Sequence, residues 1–182
     1  MNTTKKTTQY IVVSAIGADR PALGHDLCKL AVHCNCNILD SRMTVLGTEF
    51  LANLMLSGTW NAVAKLEAAL TTFEKKNDIR ISSRRTQPRA AQPDRLPYTV
   101  YIIAMEQLGA VHKIMQFFVE QDINIHDLYI NTYTAPFSET QMLAISLAIT
   151  IPKSQLLADF RENLMVFCDD HNLDVVLEPQ KN

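Results

Sequence analysis

The chain repeats itself. Slid along itself by 87 positions, it lays His25 on His112, Leu27 on Ile114, Asn37 on Asn124, Ile38 on Ile125 and Asp40 on Asp127 without a gap. Shared apolar periodicity would align the leucines and isoleucines, but it would not also align a polar Asn and Asp just beyond a helix. The pattern reads as an internal duplication. A length of 182 residues then divides into two small domains rather than one large one. The seam lies at Arg84 to Pro97, which holds Pro88, Pro93 and Pro97, four arginines and hardly any apolar residue, the composition of an exposed linker. The expected organisation is a first domain at 9–86, a linker at 87–96 and a second domain at 97–180.

Each half has the same order of elements. Tyr10 to Ile16 is a β-branched run that reads as a strand, and Asp19-Arg20-Pro21 offers an N-cap and a first-turn proline for a helix. Leu23, Leu27, Leu30, Ala31 and Cys34 give that helix one apolar face. Asn37 to Leu46 and Phe50 to Leu56 read as a hairpin turning at Gly47-Thr48-Glu49. Val63, Leu66, Leu70 and Phe73 mark a second helix, and Asp78 to Ser83 a closing strand. In the second half the strands fall at Tyr98 to Met105, Ile123 to Tyr133, Met142 to Ile151 and Leu173 to Leu177. Its helices run through Val111, Ile114, Met115 and Phe118, and through Leu157, Phe160, Leu164 and Phe167. The order βαββαβ, twice, implies an α+β protein whose two antiparallel sheets each carry both helices on one face. The other face is left open. Phe50 to Leu56 places large apolar groups on both sides, so the open face is expected to be covered by the other half or a second chain.

Composition removes several classes. With 47% hydrophobic residues the chain can fill a core. A net charge of −2 and a pI near 6.2 argue against a dedicated nucleic-acid surface, which needs clustered Lys and Arg. No apolar run approaches the length that spans a bilayer, and Met1 to Gln9 is polar, without the core of a secretory signal. Cys28, Cys34, Cys36 and Cys168 are too sparse for a disulfide scaffold. A reduced, cytoplasmic setting is expected.

The residues also carry a resemblance. Gly17-Ala18-Asp19-Arg20-Pro21 at the end of a strand, an amphipathic helix, and Cys34-Asn35-Cys36-Asn37-Ile38 opening the next strand resemble the ACT domain. ACT domains are ferredoxin-like βαββαβ modules that bind amino acids and regulate what they are attached to. More narrowly, Ala15 to Pro21, Cys36 to Arg42 and Leu56 to Ala62 are similar to a family of tandem ACT regulators of the glycine cleavage operon. That resemblance implies a regulator that is not an enzyme and carries no cofactor or metal. It implies contact with a transcriptional activator rather than with DNA, and relief of that contact by a small amino acid, glycine first; a homo-oligomer is expected from the open sheet face. The ligand positions it carries over are Asp19, Arg20, Pro21, Asn37 and Ile38, with Asn124 at the matching place in the second half. Ala22 stands where the common pattern has glycine, and Glu106-Gln107-Leu108-Gly109 replaces the Asp-Arg-Pro element.

Each of these residues has a plainer reading beside the functional one. Asp19 can cap a helix, Arg20 can be a solvated cation or a carboxylate clamp, and Asn37 and Asn124 can satisfy turn backbone. His33-Cys34-Asn35-Cys36 suggests a metal, but Cys-x-Cys without a second ligand pair suits core thiols better. His25 and His112 have no evident nucleophile near them. Trp60-Asn61 reads as the start of a helix with the indole packed at its entrance. Arg80, Arg84, Arg85, Arg89 and Arg95 read as a solvated strand end and linker. Three rival functions share the fold or its residues. An RNA-recognition motif needs stacking aromatics and basic flanks, an acylphosphatase-like hydrolase would use Arg20 with Asn37, and a constitutive interaction module would leave its ligand sites empty.

Overall fold

The computed structural model describes residues 7–90 and 92–180. Most of the polar N-terminal segment and Ala91 of the expected linker lie outside the described residues. The chain separates into two compact units, Met1–Ala90 and Ala91–Asn182. The first unit runs β1 (Gln9–Ala18), α1 (Leu23–His33), β2 (Asn37–Leu46), β3 (Glu49–Gly58), α2 (Trp60–Asn77) and β4 (Arg80–Thr86). The second runs β5 (Arg95–Met105), α3 (Ala110–Glu120), β6 (Asn124–Thr134), β7 (Gln141–Pro152), α4 (Leu157–His171) and β8 (Asp174–Pro179). Their sheets have the orders β2-β3-β1-β4 and β6-β7-β5-β8, antiparallel throughout. This is the expected α+β architecture, two ferredoxin-like βαββαβ units.

Alternation decides where each core sits. In β1 the residues Ile11, Val13 and Ala15 are buried under the helices, while their neighbours Tyr10, Val12 and Ser14 lie on the opposite, helix-free face. Leu23, Leu27 and Ala31 of α1 and Val63, Leu66 and Leu70 of α2 close over the buried side. The second unit buries Val100, Ile102 and Ala104 in the same way but fills the space beneath its helices with Phe117, Phe118 and Phe160. Phe167 stacks on Phe117 with ring centroids 4.6 Å apart. Each unit has its own core.

The duplication extends to the irregular backbone. Ala22 and Gly109 both have positive φ, 69° and 86°, just before a helix, and Asn35 and Asp122 repeat the feature just after it. The register slips once in each β2-type strand, between Ile38 and Asp40 and between Ile125 and Asp127, the mark of a β-bulge. Beyond the bulge, Asp40, Arg42 and Thr44 sit on the open face opposite Met55, Asn53 and Leu51.

Several expectations need adjusting. Strand β4 continues to Thr86 and β5 begins at Arg95, so ladder pairing reaches into the stretch that reads as linker. Trp60 does begin α2, capped by the Thr59 hydroxyl, which accepts from the Ala62 amide at 3.2 Å. Its indole, however, is 60% exposed, with the Arg85 guanidinium 5.7 Å from the ring centre. Arg85 stands at the exposed strand end, as expected, but with partners of its own. It donates twice to Glu67 at 2.9 Å, and that pairing holds the Glu67 carboxyl below its usual range.

Candidate ligand-binding site

The turn between β1 and α1 is built by the backbone. The Asp19 amide donates to Thr48 O at 2.9 Å, tying the strand end to the tip of the β2–β3 hairpin, and Glu106 repeats the bond to Gln141 O at 2.9 Å. The Leu23 amide then reaches back to Arg20 O at 3.4 Å across Pro21 and left-handed Ala22. In the second unit Ala110 reaches Gln107 O at 3.1 Å across Leu108 and Gly109. Both are turns of the type II pattern, which wants proline second and glycine third. The first unit carries the proline and the second the glycine.

This geometry overturns the cap assigned to Asp19. The N-cap position of α1 is Ala22, no side chain caps the helix, and Pro21 lies in the turn ahead of it. The type II turn carries the chain into the helix at Leu23, leaving Asp19 exposed at the hairpin. The starts of α1 and α3 thus both lack a side-chain acceptor, an arrangement that suits a carboxylate. The two differ in one respect. Helix α1 has its own acid, Asp26, in the first turn, whereas α3 has none.

Arg20 is held by the protein itself. Its guanidinium lies 3.4 Å from Asp26 and donates also to Asn77 at the end of α2 and to Pro21 O at 3.3 Å. Asn77 in turn donates to Phe73 O at 2.8 Å. Arg20 therefore bridges two helix ends, a role invisible to local spacing because its partner lies 57 residues away.

Asn37 stands elsewhere. It pairs with Ser57 beside the start of β1, whereas Ala18, leading into the turn, pairs with Glu49 at the other end of the sheet. The eight steps from Tyr10 to Ala18 separate them by roughly 26 Å at strand rise. Within one unit, a single small zwitterion cannot touch both Asn37 and the turn. Asn37 is exposed, and Ile38 packs against the first core. Asn124 occupies the matching exposed place opposite Thr150.

Beside the turn lies a feature that short motifs could not reveal. Ile16, Gly17, Ala18 and Glu49 meet Glu74, Lys75, Asp78 and Arg80 around an open concavity at the end of α2. Carboxylates and cations are both present, as recognition of a zwitterion requires. At Gly17 a Cβ would lie 2.9 Å from the Ile79 Cβ. The smallness of the glycine serves packing. Cys34 and Cys36 are core side chains, and burial pushes the Cys36 thiol up. Among the described residues no three His, Cys, Asp or Glu side chains group to hold a metal, and no helix is long and apolar enough to cross a membrane.

Comparison with known proteins gives the architecture a family. The ACT domain matches residues 9–83. Glycine cleavage system transcriptional repressors of Escherichia coli strain K12 and Shigella flexneri are each 30% identical over 172 residues, covering 93% of this chain and 89% of theirs. A crystal structure provisionally assigned as a glycine cleavage system transcriptional repressor superposes with a TM-score of 0.70 at 26% identity, over 96% of this chain and 99% of the other. An unknown protein from Galdieria sulphuraria superposes at 0.77 with 25% identity, over 96% of this chain and 100% of its own. Two like units, left-handed turns and bulges at matching places, and similarity running nearly the whole length lead to one assignment: the chain belongs to the ACT-domain family of glycine cleavage system transcriptional repressors.

Proposed function

We propose that this protein is a non-catalytic regulator that responds to a small amino acid, glycine first, and acts by contact with a transcriptional activator of the glycine cleavage operon, as a homo-oligomer. The observation that carries the reading is full-length similarity to proteins named as repressors of that system. The uncapped starts of α1 and α3 support the effector part, since a helix start without a side-chain cap suits a carboxylate. The mixed charges of Glu49, Lys75, Asp78 and Arg80 support it at the same end of the first unit. Asp19, Arg20 and Pro21 belong to that end. Asn37, Ile38 and Asn124 lie at the far end of their sheets and would serve a separate contact.

Glycine binding to the folded state raises the melting temperature by mass action. The expected result is a rise across millimolar glycine that survives Asn37→Ala and is lost in Lys75→Glu. Flat curves with glycine, serine and alanine alike would end the effector reading. A constitutive interaction module is the second reading, favoured by the way Asp26 and Asn77 already occupy Arg20. A pull-down from cell extract that captures the activator equally with and without glycine would establish it.

A further inference from the structure

Each sheet leaves one face without helices, and the two faces differ in charge at matching positions. On edge strand β4, Arg84 lies opposite Val12 and Arg80 opposite Ile16. Shifted by 87, Val12 becomes Thr99 and Ile16 becomes Ile103. On edge strand β8 their partners are Glu178 and Asp174. The duplicated framework thus carries two arginines on one copy where it carries two carboxylates on the other. The first face adds Arg42 and Asp40, which pair with each other at 2.6 Å, and Glu49 at its end. The second adds Asp127, with Arg95 at its far end.

Both faces are also apolar between their charges. On the second, Tyr129, Tyr101 and Val176 form a row across the sheet at Ser146 and are 66%, 46% and 52% exposed. On the first, a shallow depression at Val12, Asn53 and Met55 is rimmed by Asp40 and Arg42, a shape that takes a tyrosine ring beside a guanidinium. We propose that the open face of the first unit in one copy docks on the open face of the second unit in another copy. Two chains related by a two-fold axis would make this contact twice. Pairing like with like would set Arg80 and Arg84 against arginines and Asp174 and Glu178 against carboxylates, which is unfavourable.

The inference rests on the homo-oligomer part of the proposed function and can fail separately from it. Sedimentation of the full chain at low and high salt is expected to give a dimer that weakens as salt rises. The variants R80E/R84E and D174R/E178R, or R84E alone should the first not fold, are each expected to associate about a hundredfold more weakly. An equal mixture of the two double variants restores the dimer, because each reversed face then meets its complement on the other chain. A wild-type chain that stays monomeric to millimolar concentration would remove the homo-oligomer itself. A dimer as tight in either double variant as in the wild type, or a mixture that stays monomeric, would overturn this pairing of faces.

Discussion

At the turn into its first helix, one unit holds Ala22 and the other Gly109 in the same left-handed conformation. Beneath that helix, the position of Ala31 in one unit is taken by Phe118 in the other, and both are fully buried. The backbone is kept where the residue suited to it is lost, and the core is refilled with side chains of different size. The fold thus specifies its turns and bulges through the whole unit rather than through the residue at each place. Side chains within the unit are free to diverge until packing objects.

The largest expected effect separates the two cores. Phe118→Ala should cost about 3–5 kcal/mol, because it empties space among Phe117, Phe160 and their neighbours. Amide exchange should show the loss confined to the second unit. Loss of protection in both units would break the separation.

Gly17 and Ala104 come next, at matching positions with and without a Cβ. Gly17→Ala should cost about 1–3 kcal/mol through overpacking, since the new atom would meet the Ile79 Cβ at 2.9 Å and its Cα at 3.1 Å. A neutral result in urea unfolding would mean that Ile79 yields. The left-handed pair is smaller and opposite in sign. Ala22→Gly should stabilise the first unit, and Gly109→Ala destabilise the second, each by about 1 kcal/mol.

Smallest is the exposed pair of Arg85 with Glu67, for which the second unit has Pro179 and Arg161 at the matching positions. The folded-state pKa of Glu67 lies below its unfolded value. Its contribution is therefore present above the unfolded pKa and lost as pH falls through the folded one. Glu67→Gln should remove about 0.5 kcal/mol at neutral pH and flatten the acid limb of the first unit's melting curve.

The duplication, the order of elements and the helix faces were legible because they rest on periodicity and on residues repeating at one offset. The closing strands ran further than their apolar residues suggested, since Arg84 and Arg85 pair with β1 whatever their charge. The bulges were not legible, because alternation in Asn37 to Leu46 reads equally well with or without an extra residue. Nor was the turn at Ala22, where alanine gives no sign of a left-handed backbone and Asp19-Arg20-Pro21 offers a familiar cap. The candidate site was legible only in part. Arg20 looked free because Asn77 is far away in sequence, and Asn37 looked near because the chain, not the sheet, joins it to the turn.

Unlike cores on a common framework bear on how the newly made chain finds its shape. Two hairpins with the same bulge could exchange partners, and tandem copies are prone to such mispairing. Were α3 to settle on the sheet of the first unit, Phe118 would be forced into the room left for Ala31, while α1 on the other sheet would leave a void. Hybrid assemblies are thus either too full or too empty, and the divergence of the two interiors directs each segment back to its own half.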